Sequence, residues 1–196
     1  MALRNAVMAA LLEGEASGYD LAKGFEASVA NFWMATPQQL YRELERMESE
    51  GLVSARVVQQ ERRPNKRLFS LTDAGLDVLR SYVAHAPAKP TAIRDELMVK
   101  VQCLDIADRD DIRAVREAVA ERRERSAAKL ARYERMQERM LAGRTEDEYF
   151  AEADRIGPYL TLLGGMAFER GNLRWADIAL ERLEQRTATR PPLAGT

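Results

Sequence analysis

The sequence has almost none of the residues that build metal centres and disulfide frameworks. Among its 196 residues, Cys103 is the single cysteine and His85 the single histidine. An intrachain disulfide is therefore excluded, and so is a zinc site made of histidine and cysteine ligands. We predict neither a metal nor any other cofactor.

Long apolar runs and export signals are missing as well. No apolar stretch approaches the ~20 residues that a membrane-spanning helix needs. No signal peptide is visible in the first residues. Together with the single cysteine, these absences predict a cytoplasmic protein without membrane contact.

The motifs of common enzymes are also lacking. The sequence contains no GxSxG, no glycine-rich phosphate-binding loop and no HExxH. The single histidine has no obvious nucleophilic partner nearby. We therefore predict that the chain is not an enzyme.

Charge is balanced over the chain but concentrated in one short segment. The formal net charge is −1, and 46% of the residues are hydrophobic, which is enough for one or two small domains. Because the chain as a whole is not basic, nucleic-acid binding would have to come from a local patch. Residues 56–67 contain one acidic residue, Glu61, and five basic residues, which are Arg56, Arg62, Arg63, Lys66 and Arg67.

The first fifty residues predict three short helices. Residues 2–12 form an apolar helix, and Ser17 is placed to cap a second helix that has Leu21 and Phe25 on one face. The third helix has a stronger start signal, because Thr36, Pro37 and Gln39 match a capping box with proline at the first helical position. Gly51 is suited to end that helix in a left-handed conformation.

Two faces can be assigned on the third helix. An apolar stripe for packing is formed by Leu40, Leu44 and Met47. The opposite stripe is formed by Gln38, Tyr41, Arg42 and Glu45. Its amide, phenol and guanidinium groups suit base edges and phosphates, although an ordinary solvated face is the alternative for a helix considered alone.

A β-hairpin with a basic tip follows the third helix. Residues 52–60 and 67–71 have strand composition, and Pro64 and Asn65 suit the turn between them. Thr72 then caps a fourth helix over 73–84. Three helices followed by such a hairpin predict a winged helix-turn-helix, with one helix in the major groove and the wing on phosphates or in the minor groove.

The second half is predicted to be helical throughout. Residues 85–90 hold two prolines and indicate a hinge, in which His85 is solvated. A helix over 92–104 places Cys103 on its packed side as an inert thiol. Residues 108–142 predict one long helix whose apolar seam, similar to that of a coiled coil, is interrupted at 122–125.

The remaining segment predicts one or two more helices. Residues 159–168 are apolar on nearly every side, which predicts deep burial against another chain. The last ten residues, 187–196, are predicted to be disordered. The predicted domains are thus a winged helix-turn-helix over 1–86 and a helical dimerisation and effector domain over 91–186, in a mainly α fold.

Several segments, in this order and spacing, carry a resemblance. They are ALLEGEASGYDL (10–21), FWMATPQQLYRELERMESEGLV (32–53) and RRPNKRLFSLTDAG (62–75), followed by IRDELMVKVQCL (93–104) and RWADIALERL (174–183). With them the chain resembles the PadR family of bacterial transcriptional regulators, in particular its longer members with a C-terminal helical domain.

The sequence departs from the family pattern at three positions. Ala16, Met47 and Phe69 stand where proline, leucine and tyrosine are usual. The first two changes are structurally mild. Phe69 has no hydroxyl, so a polar contact made by that tyrosine would be absent here.

The resemblance implies a homodimeric repressor that leaves an inverted-repeat operator in double-stranded DNA when a small molecule binds. The implied DNA contacts are Gln38, Gln39, Tyr41 and Arg42 on the recognition helix and Arg63, Lys66 and Arg67 on the wing. The implied dimer forms through the C-terminal helices.

We also predict an effector pocket for an aromatic or planar molecule, at the domain junction or the dimer interface. Its candidates are aromatic and methionine side chains, namely Phe32, Trp33, Tyr133, Met136, Tyr159 and Met166. The alternative is that these side chains are ordinary core and interface packing.

A different function class remains open. Winged helices also bind proteins, so the chain could be a helical dimeric adaptor. The basic wing discriminates between the two, because an adaptor has no need for four cations within residues 62–67.

Overall fold

The computed structural model describes residues 2–25, 35–59, 65–85, 87 and 94–189. The chain forms two compact units, Met1–Lys89 and Pro90–Thr196. The helices of the N-terminal unit are α1 (Ala2–Leu11), α2 (Gly18–Phe25), α3 (Pro37–Ser49) and α4 (Asp73–His85). Its strands are β1 (Ala16–Ser17), β2 (Val53–Val58) and β3 (Lys66–Leu71). The predicted winged helix-turn-helix is confirmed.

Helix α3 begins and ends where its local sequence predicts. The Thr36 hydroxyl accepts a hydrogen bond from the Gln39 N–H at 3.2 Å, and the Gln39 side-chain oxygen accepts one from the Thr36 N–H at 2.9 Å. Pro37 fills the first helical position, and Gly51 follows the helix with φ of 73°. Both ends of the recognition helix are therefore fixed by residues that belong to the helix boundary itself.

The apolar stripe of α3 enters the core of the N-terminal unit. Leu40, Leu44 and Met47 are buried, as predicted, and the core also contains Val7 and Met8 of α1. Burial of side chains of this size stabilises by about 1.5–3 kcal/mol each relative to exposure. This packing fixes which side of α3 is left for solvent.

The sheet has one more strand than predicted. β1 pairs with β3, which in turn pairs with β2, and all three strands are antiparallel in the order β1-β3-β2. Ser17 lies opposite Leu68 in β1, and its hydroxyl also accepts a hydrogen bond from the Asp20 N–H at 3.1 Å. The predicted cap of α2 is thus confirmed, and the same residue joins α2 to the wing. The predicted packing of the Phe25 side chain lies outside the described residues.

Helix α4 is positioned by a close backbone contact. The Thr72 hydroxyl accepts a hydrogen bond from the Gly75 N–H at 3.1 Å, which confirms the predicted cap. A Cβ atom on Gly75 would lie 2.1 Å from the carbonyl oxygen of Leu52, so only glycine fits there. His85 is the last residue of α4 and not part of a hinge, although it is exposed as predicted.

Helices also form the described part of the C-terminal unit. They are α5 (Glu96–Gln102), a 3-10 turn (Cys103–Ile106), α6 (Arg109–Leu141), α7 (Glu146–Glu152) and α8 (Gly157–Thr189). The long helix predicted over 108–142 is confirmed, and Asp108 caps it. None of the helices in the described ranges is long and apolar enough to cross a membrane.

Helices α6 and α8 run antiparallel and share a core. The Tyr133 ring packs on Gly165, whereas Arg123, ten residues earlier in α6, pairs at 2.5 Å with Asp177, which lies twelve residues later in α8. Tyr133 and Met166 are fully buried in this core, and Leu162 lies beside them. At the predicted interruption of the seam the core becomes polar, with Ser126 and Glu169 buried.

Two predictions for this unit need correction, and a third stays open. Cys103 is exposed, because α5 ends at Gln102 and the cysteine lies away from the side that carries Leu97 and Val101. The burial of segment 159–168 against another chain stays a prediction; within the single chain, Leu160 and Phe168 of this segment are exposed. Helix α8 continues to Thr189, so it extends into the segment predicted to be disordered; the residues after it lie outside the described ones.

Replacing Asp95 with asparagine is expected to destabilise the C-terminal unit by about 1–3 kcal/mol. Asp95 caps α5 by accepting from the Leu97 N–H, and it binds Arg122 through two contacts of 2.5 and 2.7 Å. Asparagine keeps the cap but loses the paired charge. The measurement is urea unfolding of the full chain, followed by circular dichroism.

The difference in free energy of unfolding between wild type and Asp95→Asn should depend on pH. The Arg122 guanidinium holds the pKa of Asp95 below its ordinary value. The stabilisation is therefore fully present above about pH 4, the ordinary aspartate pKa, and is lost as the pH falls through the lower folded value. Asp108→Asn is the control, because the Asp108 carboxylate caps α6 on backbone N–H groups. If both variants lose the same free energy of unfolding at neutral pH, the ion pair with Arg122 does not contribute to stability.

Candidate nucleic-acid interface

The outward stripe of α3 is the centre of the candidate interface. Gln38, Tyr41, Arg42 and Glu45 are all exposed, as the helical periodicity predicts. The Tyr41 side chain is 44% exposed, which is unusual for an aromatic residue on a packed helix. An amide, a phenol, a guanidinium and a carboxylate are thus presented on one side of a rigid helix.

The Tyr41 ring is held against the start of α2. A Cβ atom on Gly18 would lie 2.2 Å from Cε1 of that ring, so the absence of a side chain at Gly18 makes the contact possible. The ring is therefore supported by the backbone of Gly18, although Tyr41 stays 44% exposed. The local sequence around Gly18 does not indicate this contact, because Tyr41 lies 23 positions away in the chain.

Gln39 differs from its neighbours among the predicted DNA contacts. Its side-chain oxygen accepts a hydrogen bond from the Thr36 N–H in the capping box. It also lies about 100° around the helix from Gln38, beside the outward stripe. The structure therefore gives this side chain a role in starting the recognition helix.

The described basic residues of the wing are bound to carboxylates that lie outside the wing. Arg56 pairs with Glu15 at 2.6 Å, Lys66 with Asp20 at 2.7 Å, and Arg67 with Glu48 of α3 at 2.6 Å. The Arg67 guanidinium also lies 5.2 Å from the centre of the Phe69 ring. The predicted contact Arg63 lies outside the described residues, with Arg62 and Pro64.

These pairs are charged at neutral pH. The Lys66 ammonium, together with the Ser17 hydroxyl, lowers the pKa of Asp20. Arg56 lowers the pKa of Glu15, and Glu15 in turn raises that of Arg56. The pairs of Lys66 and Arg67 hold β3 beside α2 and α3, so that the wing and the recognition helix border one surface.

A cleft of about 470 Å³ lies between the wing and the recognition helix. Its lining includes Tyr19, Asp20, Tyr41, Glu45, Lys66 and Phe69. The cleft joins the outward stripe of α3 to β3. Sequence reasoning did not find Asp20 or Glu48 as partners of the wing, because each contact joins positions far apart in the chain.

Comparison with known proteins identifies the family. Residues 7–81 match the model of the Transcriptional regulator PadR-like family, and residues 93–184 match that of the Virulence activator alpha C-term family. The chain is 32% identical over 193 residues to the Probable transcriptional regulator Rv1176c of Mycobacterium tuberculosis, covering 95% of this chain and 100% of the relative. The chain belongs to the PadR-like family.

Two further proteins are similar over nearly the whole chain. The Negative transcriptional regulator PadR of Bacillus subtilis is 27% identical, with 93% of this chain and 98% of that protein covered. Its crystal structure in complex with operator DNA has a TM-score of 0.71, at 24% identity over 93% and 99% of the two chains. The structure of the Vibrio cholerae virulence activator AphA has a TM-score of 0.64, at 28% identity, and the match covers 94% of this chain and 99% of AphA. These structures share the fold.

The PadR-like family consists of transcriptional regulators, which agrees with the missing enzyme motifs. The part of the chain that the structure describes contains no cluster of three or more histidine, cysteine, aspartate or glutamate side chains that could hold a metal ion. The interface therefore has to be understood through hydrogen bonding and charge.

Two of the predicted effector residues of this PadR-like chain lie outside the described residues, and the other four belong to the C-terminal unit. Phe32 and Trp33 lie outside the described residues. Tyr133 and Met166 belong to the core between α6 and α8, and Met136 packs against it. The Tyr159 hydroxyl donates a hydrogen bond to Glu146 at 2.9 Å and is buried, which raises its pKa.

Replacing Asp20 with asparagine is expected to steepen the salt dependence of DNA binding. Without the carboxylate, Lys66 is released to neutralise a phosphate, and each such contact adds about 0.9 to the slope of log K against log salt. The measurement is fluorescence anisotropy with duplex DNA over a series of salt concentrations.

Asp77→Asn is the matched control for Asp20→Asn. It releases Arg80 on the exposed side of α4, which does not line the cleft. The control is expected to keep the wild-type slope. Identical slopes for Asp20→Asn and wild type would mean that Lys66 contacts no phosphate.

Proposed function

We propose that this PadR-like chain is a dimeric, DNA-binding repressor that occupies an inverted-repeat operator and leaves it when a small molecule binds. It acts in the cytoplasm, where the DNA lies. The observation that carries the proposal is the outward stripe of α3, with its accessible Tyr41 and Arg42, beside a wing that is held next to it. The B. subtilis relative was crystallised with operator DNA, which supports this use of the surface.

The proposed mode of binding places α3 in the major groove. The guanidinium of Arg42 suits the O6 and N7 acceptors of guanine, and the amide of Gln38 suits adenine. Arg67 reaches a phosphate by exchanging Glu48 for phosphate oxygens, and Lys66 does so in part, because Asp20 competes with the phosphate for its ammonium group. One unit makes few base contacts, so a two-fold dimer would read half-sites about one helical turn (~34 Å) or a multiple of it apart.

Dimerisation is proposed to use the exposed apolar side of α8. Leu160, Phe168 and Ile178 are each at least half exposed in the single chain, and Phe168 reaches 64%. At ~100° per residue, these three positions lie within a quarter of the helix circumference. Sedimentation equilibrium tests the dimer, and Phe168→Glu is expected to shift it towards the monomer.

Repression is the proposed direction of regulation. The B. subtilis relative is named a negative regulator, although AphA is named a virulence activator, so both directions occur among similar proteins. Repression predicts that deletion of the gene raises transcription from the bound promoter. Lower transcription in the deletion strain would assign the chain as an activator.

The proposed effector is an aromatic or planar small molecule. One crystal structure of B. subtilis PadR contains p-coumaric acid, at 24% identity and a TM-score of 0.66. A ligand releases DNA only if it binds the DNA-incompetent conformation more tightly. Titration of hydroxycinnamic acids and planar drugs against tryptophan fluorescence and DNA binding tests this step, and DNA binding unaffected by every class would refute it.

The deciding experiment for the whole proposal is fluorescence anisotropy with the DNA upstream of the protein's own gene, at several salt concentrations. Random duplex DNA of equal length is the control. We expect tight, salt-sensitive binding that prefers the promoter DNA. Weak and equal binding to both DNAs would contradict binding of the protein to the promoter of its own gene and would favour the adaptor function.

A further inference from the structure

Most carboxylates around the recognition helix are bound by a basic partner. Glu43 and Glu50 both bind Arg4, with contacts of 3.1 and 2.7 Å. Asp20 and Glu48 bind the wing, as described above. Acidic side chains near a DNA-binding surface are thus neutralised in pairs, which limits their repulsion of phosphates.

Glu45 is the exception within the described part of α3. It is exposed, and it forms neither an ion pair nor a side-chain hydrogen bond with any residue that the structure describes. Its neighbour Arg42, three residues earlier on the same stripe, is equally unpaired among the described residues. Elsewhere in the chain such neighbours do pair, as Arg80 with Asp77 at 2.8 Å and Arg46 with Glu50 at 3.0 Å.

Glu45 lies on the surface that the proposed function places against DNA. It lies one helical turn after Tyr41, and it lines the cleft between α3 and the wing. A carboxylate in this place is repelled by every phosphate that it approaches. It is useful only where it meets a hydrogen-bond donor on a base edge.

We infer that Glu45 is a specificity-determining residue that accepts a hydrogen bond from the N4 amino group of a cytosine in each half-site. This inference rests on the proposed function. In the major groove, cytosine presents the N4 amino donor alone, whereas adenine presents its N6 amino group beside the N7 acceptor, which repels a carboxylate. Arg42, on the same stripe, has the complementary preference for guanine acceptors.

The experiment compares wild type with Glu45→Gln in selection from a randomised duplex library, followed by anisotropy on the enriched site and on versions with one base pair exchanged. Removing the charge raises affinity for all DNA, so the readout is the ratio of affinities for two duplexes within one protein. The uniform gain cancels in that ratio. Glu13→Gln, at an exposed glutamate in the turn after α1, is the matched control.

Wild type and Glu13→Gln are expected to select a C:G pair at one position of each half-site. Glu45→Gln should lose that preference by about fivefold or more, with the other positions unchanged. An unchanged base profile in Glu45→Gln, or a wild-type motif without a C:G pair, would overturn the inference and leave the regulator intact. A wild-type protein that enriches no sequence would overturn the proposed function itself, and the inference with it.

Discussion

Replacement of Tyr41 and Arg42 together by alanine is expected to weaken operator binding by about 2–6 kcal/mol, or roughly 30-fold to 10⁴-fold. The range corresponds to about 1–3 kcal/mol of lost base contact in each of two half-sites. Both side chains point away from the core that Leu40 and Leu44 build, so the fold should be retained. The measurement is the dissociation constant for the selected operator by anisotropy.

The control for this double variant is Arg80→Ala with Tyr82→Ala on α4. It removes the same two residue types from an exposed helix that does not line the cleft. Sedimentation of both variants verifies that the oligomeric state is unchanged. Wild-type affinity in the Tyr41 and Arg42 variant would mean that α3 is not the recognition helix.

Gly75→Ala is expected to have the largest effect on stability. The added methyl group would lie 2.1 Å from the carbonyl oxygen of Leu52, and backbone cannot move aside as the end of a side chain can. Overpacking of this kind costs typically 1–3 kcal/mol and occasionally more. For a unit of this size, each kcal/mol lowers the melting temperature by about 4–8 °C.

Thermal unfolding of the full chain, with near-neutral buffer and circular dichroism as the signal, measures this loss. Ser81→Ala is the control, because Ser81 lies on the exposed side of the same helix. The free energy of unfolding of the control should remain within about 0.5 kcal/mol of that of wild type. A melting temperature unchanged by Gly75→Ala would contradict the close approach of α4 to the end of α3 and the start of β2.

Local signals were sufficient to predict most of the recognition helix. Thr36, Pro37 and Gln39 act on their own neighbours, so the start of α3 could be predicted within one turn. The long helix α6 was equally clear from its periodicity. Strand β1 was missed because two residues are too short for an alternating pattern to be recognised.

Features that depend on distant residues were not accessible from the sequence. Asp20 and Lys66 are 46 positions apart by their numbers, and nothing near either residue indicates the other. The prediction for Cys103 was wrong for a different reason: α5 is shorter than the apolar pattern suggested, and the cysteine falls in the 3-10 turn that follows. The capping role of Gln39 was predicted correctly, whereas its predicted DNA contact remains untested.

The separation of the two faces of α3 has an evolutionary consequence. The residues that start the helix and bury it are different from those on its outward stripe, so Gln38, Arg42 and Glu45 are free to change without loss of the fold. A duplicated gene could therefore acquire a new operator through a few substitutions. Tyr41 is the exception, because its ring rests on Gly18, and divergence at either position is constrained by the other.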